Sequence, residues 1–311
     1  MRPLNIIFMG NPDFAVPSLQ KLVESSHTLQ LVVTGHDKRR GRRQAPTPTP
    51  VKKKAMEAKL PVWETDDIKD QALHNKLESL QPDLIVIVAF KILPESLLRI
   101  PKVGAINLHA SLLPKYRGAA PIHHAVINGE TETGCTVFFL NKGVDTGKII
   151  DWRNTSIGPD ETTGEVYQRL MVLGSDLLVD CTNAIAQENI DPQPQDETKA
   201  SPAPKIYKED CRIDFSNPAE QVHNFIRGLS PFPGAWTVME GSRLNVYRSK
   251  LRADNLEPGS VINDDGKLVA GCGRGSLELV EVQLEGRKQM GGEELLRGLP
   301  ETPARLGNQG G

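Results

Sequence analysis

Short, unbroken apolar runs alternate with amphipathic stretches through the first 190 residues, and this alternation predicts the fold class. Leu4–Met9, Leu29–Thr34, Leu84–Ala89, Ala105–His109 and Thr136–Leu140 read as strands. The continuous run LIVIVA at 84–89 is the pattern of a strand buried on both faces. Between the strands, Pro17 fits the first turn of a helix carrying Leu19, Leu22 and Val23. Asp70–Leu80 places Leu73, Leu77 and Leu80 on one helical face. Glu161–Gln187 is the clearest long helix. Val166, Leu170, Leu173, Leu177, Cys181 and Ile185 recur at steps of three or four, and Thr162 with Glu165 can form a capping box. Strands alternating with helices predict an α/β fold with a mostly parallel sheet and helices on its faces.

The pattern changes after this helix. Residues 191–205 carry Pro192, Pro194, Pro202 and Pro204 among polar residues and read as a linker. Asn217–Gly228 follows as a short helix with Val222, Phe225 and Ile226 as its buried face. From Gly234 onward, short strands alternate with turn signals such as Asn263-Asp264-Asp265-Gly266, which suggests a small β-barrel. Glu293–Arg297 adds a last helical turn. The expected organisation is a first domain at 1–190, a linker at 191–205, a barrel domain at 206–306 and a disordered tail at 307–311.

A chain of 311 residues accommodates this division, at roughly 100–200 residues per domain. The net charge of −2 means that any nucleic-acid binding must come from local patches. Cys135, Cys181, Cys211 and Cys272 form no CxxC pair and are expected to be reduced thiols. The N-terminal apolar run is only of strand length and is ended by Gly10, Pro12 and Asp13. With no run elsewhere reaching about 18 apolar residues, the expectation is a cytoplasmic protein with no membrane partner.

Three polar residues stand out near predicted strand ends. Asn107 and His109 are i and i+2 on one strand, so both side chains point to the same face. They lie at the carboxyl end, where open α/β sheets bind ligands. An Asn amide is a neutral donor suited to a developing oxyanion, and a His can donate a hydrogen bond or carry a proton near neutral pH. Either could instead be a satisfied structural polar group. Asp145 lies in Lys142-Gly143-Val144-Asp145-Thr146-Gly147, a turn whose glycines permit positive φ and close backbone approach. That Asp could be a reactive carboxylate or a local turn acceptor. An aspartic-protease reading of Asp-Thr-Gly needs a second carboxylate motif or an obligate dimer; no second copy exists, and the alternating α/β pattern is wrong for that fold.

Ser111–Gly118 contains Pro114 and Gly118 and reads as a stiff connection whose backbone could line a ligand slot. His123 and His124 are adjacent on a predicted helix and diverge, so no metal site is expected. Gly10-Asn11-Pro12-Asp13 lacks the further glycines of a dinucleotide fingerprint. The stretch from Lys38 to Lys54 holds eight cations (Lys38, Arg39, Arg40, Arg42, Arg43, Lys52, Lys53 and Lys54) and no acid. It reads as a loop, either simply solvated or a phosphate-contacting arm.

With these residues in view, the chain resembles the methionyl-tRNA formyltransferase family along nearly its whole length. The resemblance is carried by NLHASLLPKYRGAAPI (Asn107–Ile122), GETETG (Gly129–Gly134), GVDTG (Gly143–Gly147) and QDETKASPAPKIYKEDCRIDFS (Gln195–Ser216). The Asn-x-His, SLLP and downstream Asp set is shared by enzymes that use 10-formyltetrahydrofolate. The resemblance implies that Asn107, His109 and Asp145 are the catalytic trio and that Ser111, Leu112, Leu113 and Pro114 contact the folate. It implies a Rossmann-like formyltransferase domain followed by an OB-like β-barrel that binds tRNA, with Lys38, Arg39, Arg40, Arg42 and Arg43 on the acceptor stem. It further implies 10-formyltetrahydrofolate as cosubstrate, no metal, methionyl initiator tRNA as partner and a monomeric enzyme. Many members have a Tyr-Gly pair before an ILP run that lines the pterin pocket. Here that stretch is Val88-Ala89-Phe90-Lys91-Ile92-Leu93-Pro94, one residue shorter and without the Gly.

Two other readings compete. One is a folate-dependent formyltransferase acting on a sugar-nucleotide or ribonucleotide amine, which would lack the basic insert. The other is a non-catalytic RNA-binding module, which leaves Asn107, His109 and Asp145 unexplained.

Overall fold

The computed structural model describes residues 2–39, 45–302 and 305–307. The chain divides into two compact units. The first comprises Met1–Gly118, Gly134–Thr155 and Tyr167–Pro202; the second comprises Ala119–Thr133, Ser156–Val166 and Ala203–Gly311.

The first unit is built on β1 (Asn5–Gly10), α1 (Val16–Glu24), β2 (Thr28–Thr34), α2 (Pro50–Glu57), β3 (Val62–Glu64), α3 (Gln71–Leu80), β4 (Leu84–Val88), α4 (Glu95–Leu98) and β5 (Gly104–His109). The two-residue β6 (Arg117–Gly118) follows; after α5 (Pro121–Ile127), which belongs to the second unit, come β7 (Glu132–Phe139), β8 (Ile149–Ser156) and α6 (Thr163–Ala186). The sheet order is β3-β2-β1-β4-β5-β7-β8. β3, β2, β1, β4 and β5 are mutually parallel, and β7 runs antiparallel to β5. The expected mostly parallel sheet is therefore present. Strand order reverses between β1 and β4, the position beyond which open α/β sheets bind ligands.

One face of this sheet packs Ile7, Met9, Leu31, Val33, Ile85 and Ile87 against Leu73 and Leu77 of α3 and against Leu93 and Leu97. α6 covers β5 and β7 from the other face. A Cβ on Gly174 would meet Cys135 Sγ and Leu108 Cδ2, each at 3.0 Å, so the helix lies against these strands at its glycine. Leu108 thus points to α6 and its neighbours Asn107 and His109 point away from it. The capping box forms as expected: the Thr162 amide donates to Glu165 Oε2 at 2.7 Å and the Glu165 amide donates to Thr162 Oγ1 at 3.3 Å.

The basic stretch is not a loop throughout. Thr49 Oγ1 accepts the Lys52 amide at 3.0 Å, Pro50 occupies the first helical turn, and Val51 and Ala55 are buried one turn apart. These features start α2 at Pro50, so Lys52, Lys53 and Lys54 are helical.

The second unit contains α5, β9 (Pro202–Ala203), α7 (Ala219–Gly228), β10 (Ala235–Met239), β11 (Ser242–Arg252), β12 (Val261–Asp264), β13 (Lys267–Gly271), β14 (Ser276–Leu284), β15 (Met290–Gly291) and α8 (Gly292–Arg297). Its antiparallel sheet runs β10-β11-β14-β13-β12, with β15 added on β14. Residues 305–307 join its two edges. The Leu306 amide donates to the Gly259 carbonyl at 2.7 Å and the Gly307 amide to the Val238 carbonyl at 3.0 Å. Val246, Leu268, Leu277, Leu279 and Val282 fill the interior with Val222, Ile226 and Leu229. Within this unit α7 meets α5 closely, since a Cβ on Gly228 would lie 2.4 Å from Ile127 Cγ1.

Candidate active site

β5 ends in two of the expected site residues, Asn107 and His109. Its antiparallel partner β7 sets Asn107 opposite Phe138 and His109 opposite Thr136. Thr136 is fully buried and fixes the turn that follows: its hydroxyl donates to the Ser111 carbonyl at 2.7 Å and accepts the Leu113 amide at 3.1 Å. Ser111 Oγ donates to the Lys115 carbonyl at 2.7 Å and is itself buried. Leu112 packs toward Gly134, where an added Cβ would meet its Cδ2 at 2.5 Å, and Leu113 is buried. The side chains of Ser111, Leu112 and Leu113 therefore build the loop.

His109 is nearly inaccessible, and its Nε2 lies 2.8 Å from the Tyr116 carbonyl oxygen. A carbonyl only accepts, so Nε2 carries a proton. The other nitrogen, Nδ1, faces Asp145 Oδ2 at 3.7 Å. Asp145 Oδ2 also accepts the Gly118 amide at 2.9 Å.

The glycine turn places Asp145 in a manner the sequence does not display. Asp145, and not Gly143 or Gly147, adopts the left-handed conformation, at φ 53°. A short polar side chain tolerates that conformation. The glycines serve close approach instead: a Cβ on Gly147 would lie 1.6 Å from the Phe139 carbonyl oxygen, and one on Gly143 would lie 2.1 Å from Thr146 Oγ1.

Asn107 and Asp145 line one cleft, together with Phe90, Lys91, Ile92 and Leu93 from the loop after β4 and with Leu140, Asn141 and Val144. His109 is not among its lining residues; it sits against Asp145 instead. Apolar side chains and a few polar groups line the cleft together, the make-up of a small-molecule site. The shortened loop turns at Ala89, φ 49°, and Lys91 reaches out to the Asp66 carbonyl.

Nothing here offers an activated thiol. Burial pushes the Cys135 thiol, one residue before Thr136, up to about 12. Among the described residues no group of three or more His, Cys, Asp or Glu side chains is placed to hold a metal ion, and no helix is long and apolar enough to cross a membrane. His123 Nε2 bonds the Phe232 carbonyl and His124 Nε2 the Pro204 carbonyl.

The formyl transferase family model matches residues 4–182, and the model of the formyl transferase C-terminal domain matches residues 205–300. A methionyl-tRNA formyltransferase of Chlorobium luteolum is 44% identical over 303 residues, covering 95% of this chain and 96% of that protein. One from Geobacter metallireducens is 42% identical over 312 residues, covering 99% and 100%. The chain belongs to the methionyl-tRNA formyltransferase family. A solved sugar 3N-formyl transferase, crystallised in the presence of dTDP and 5-N-formyl-THF, shares the fold at a TM-score of 0.66 with 18% identity, covering 93% of this chain and 100% of that one.

For a member of this family, the expected residues divide clearly. Asn107 and Asp145 meet at the cleft with the loop at 90–93, and His109 lies behind them against Asp145. Lys38 and Arg39 are exposed at the base of the basic loop, which closes through reciprocal 3.1 Å backbone bonds between Lys38 and Thr47. Arg40, Arg42 and Arg43 lie outside the described residues, as does 308–311 of the tail. Lys52 is committed elsewhere, to Asp37 at 2.7 Å and Glu64 at 2.8 Å. Sequence reasoning gave no role to Thr136 or Gln195, and it took Arg117 for a group that could meet an anion, whereas its guanidinium pairs with Gln195 and Glu197. Gln195 falls in the expected linker, yet its Nε2 donates to the carbonyls of Asp145 at 2.9 Å and Gly147 at 2.8 Å.

Proposed function

We propose that this enzyme transfers the formyl group of 10-formyltetrahydrofolate to the α-amino group of methionyl initiator tRNA. The observation that carries the reading is the meeting of Asn107 and Asp145 at one cleft, with His109 on Asp145, in a chain that matches methionyl-tRNA formyltransferases from end to end.

The chemistry follows from the residues. The unprotonated amine attacks the formyl carbon, forming the new C–N bond while the carbonyl π electrons move to oxygen. The Asn107 amide donates to that developing oxyanion. Asp145, at the cleft wall, accepts the amine's proton, and His109 Nδ1 lies beside it to share the proton. The oxyanion collapses, the bond to folate N10 breaks, and N10 leaves with a proton as tetrahydrofolate. Phe90, Ile92, Leu93 and Val144 offer the apolar walls suited to a flat folate ring. Ser111, Leu112, Leu113 and Pro114 are not among the residues that line this cleft; with Ser111 and Leu113 buried, the half-buried Leu112 and Pro114 are the side chains this loop could offer the donor.

Residues 206–306 with the preceding Lys205 support the tRNA partner. Arg243 lies over the Trp236 ring at 4.7 Å and Arg212 at 5.8 Å, while Lys205 lies over the exposed Tyr207 ring at 5.1 Å. Cations interleaved with aromatics suit a nucleic-acid strand. The exposed Lys38 and Arg39, continued by Arg40, Arg42 and Arg43, supply a second basic element for the acceptor stem.

An acceptor panel tests the reading. Purified protein with 10-formyltetrahydrofolate should formylate methionyl initiator tRNA and leave amino-sugar nucleotides and ribonucleotide amines unmodified. Faster transfer to either small amine would overturn the assignment of acceptor.

A further inference from the structure

We propose that Gln195 is a positioning residue that holds Asp145 for formyl transfer. This inference rests on the proposed function above and assigns a role to a residue outside the Asn107, His109 and Asp145 set.

Asp145 is held at both ends of its residue. Its carboxylate accepts the Gly118 amide at 2.9 Å, and its own carbonyl accepts Gln195 Nε2 at 2.9 Å. The same Gln195 nitrogen donates to the Gly147 carbonyl at 2.8 Å, so one amide group spans the turn on either side of Thr146. Asp enters the left-handed region more readily than most residues but still at a cost relative to glycine, so fixed contacts on either side help to hold it there. Gln195 supplies that constraint with both of its N–H groups.

The glutamine is held in turn. Its Oε1 accepts Arg117 Nη2 at 2.7 Å and Nε at 3.1 Å. Arg117 then makes a paired contact with Glu197 through Nη1 and Nη2, each at 2.8 Å. The Glu197 carboxylate, hydrogen-bonded to it, holds the Arg117 guanidinium above its ordinary value, as a charge-assisted pair does. Arg117 precedes Gly118, the residue whose amide fixes the Asp145 carboxylate. One guanidinium therefore anchors both hands on Asp145: Gln195 by hydrogen bonds and Gly118 by the chain. The backbone in between is secured as well, with the Tyr116 amide donating to Ser201 Oγ at 2.9 Å and the Arg117 amide to the Ser201 carbonyl at 2.8 Å.

The hydrogen-bond pattern requires an amide. The side chain must donate twice to carbonyls and accept twice from Arg117, and only an amide carries both sets on one planar group. Glutamate matches the shape and keeps the acceptor but loses both donors. Alanine removes everything.

The test is steady-state and single-turnover formyl transfer by the full chain carrying Gln195→Glu, Gln195→Ala, Asp145→Asn, and each Gln195 change combined with Asp145→Asn. Both Gln195 variants should lower kcat by about tenfold to a hundredfold, the scale of a small misplacement of a reacting group. KM for methionyl-tRNA and for the folate should stay within about twofold. Placed on Asp145→Asn, either Gln195 change should cost less than about threefold more, because the residue it positions is already disabled. If Gln195→Ala fails to fold, Gln195→Glu, equal in size, carries the test. Wild-type kcat in the Gln195 variants, or a full independent loss on the Asp145→Asn background, would overturn the proposal. A wild-type chain unable to formylate methionyl-tRNA would instead overturn the proposed function, so the two failures are told apart.

Discussion

His109 Nδ1 lies 3.7 Å from Asp145 Oδ2, while His109 Nε2–H donates a hydrogen bond to the Tyr116 carbonyl at 2.8 Å. The imidazole is thereby committed: the proton it can gain or lose is the one on the Asp145 side. His109→Ala should lower kcat by about 10²-fold, the lower range for a group assisting proton transfer. It also removes the donor to a buried carbonyl, at a cost of about 1–3 kcal/mol. Single-turnover assays and chemical denaturation measure the two effects. A variant that loses stability but transfers formyl at the wild-type rate would reduce His109 to a structural part.

Gly174 is the point at which α6 lies against the strand that bears Asn107 and His109. A Cβ there meets Leu108 and Cys135 at 3.0 Å, and valine adds two further methyl groups. Gly174→Val should cost about 1–3 kcal/mol through overpacking, and it should slow transfer by displacing β5. Thermal unfolding alongside kcat checks this. An unchanged melting temperature would show that the interface has room the packing does not display.

Glu165 links the capping box to pH. Burial pushes its carboxyl up, but Arg248 at 2.8 Å and the amide and hydroxyl of Thr162 outweigh that and hold it at about 2, below its ordinary 4.5. A carboxyl lowered on folding contributes stability that is full above the unfolded value and lost as pH falls through the folded one. Glu165 is half exposed, so its pair with Arg248 is screened and its contribution is small. The stability difference between wild type and Glu165→Gln should therefore be constant above about pH 5 and shrink between about 4.5 and 2. Melting temperatures across that window test it, and a difference independent of pH would contradict the assignment.

Replacing Lys38, Arg39, Arg40, Arg42 and Arg43 by neutral residues should weaken methionyl-tRNA binding and flatten its salt dependence. The log–log slope should fall by up to about 0.7–0.9 for each phosphate that the loop no longer neutralises. The KM for the folate should not move. Titrations at several salt concentrations measure this, and an unchanged slope would remove the basic loop from the interface.

What could be read from the sequence was local. Thr162 and Glu165 are three residues apart, and their reciprocal bonds follow from spacing alone. Asn107 and His109 alternate on one strand, so their shared face was legible too. The helix at Pro50 was hidden because its cations outnumber Val51 and Ala55, which only tertiary burial reveals as a core face. Positive φ was expected of glycines and fell on Asp145, since the turn spends Gly143 and Gly147 on close contacts. Gln195 was the least legible. It lies in a proline-rich stretch whose composition marks a linker, and its partners are Asp145 and Arg117, far away in the chain.

The most direct test of the account is single-turnover formyl transfer from 10-formyltetrahydrofolate to methionyl initiator tRNA by wild type, Asn107→Ala and Asp145→Asn, each with saturating substrates. The wild-type chain should transfer the formyl group, Asn107→Ala should be slower by about 10²–10³-fold, and Asp145→Asn by about 10²–10⁴-fold, with all three equally folded. Near-wild-type rates in both variants would contradict the assignment of this cleft as the site of transfer.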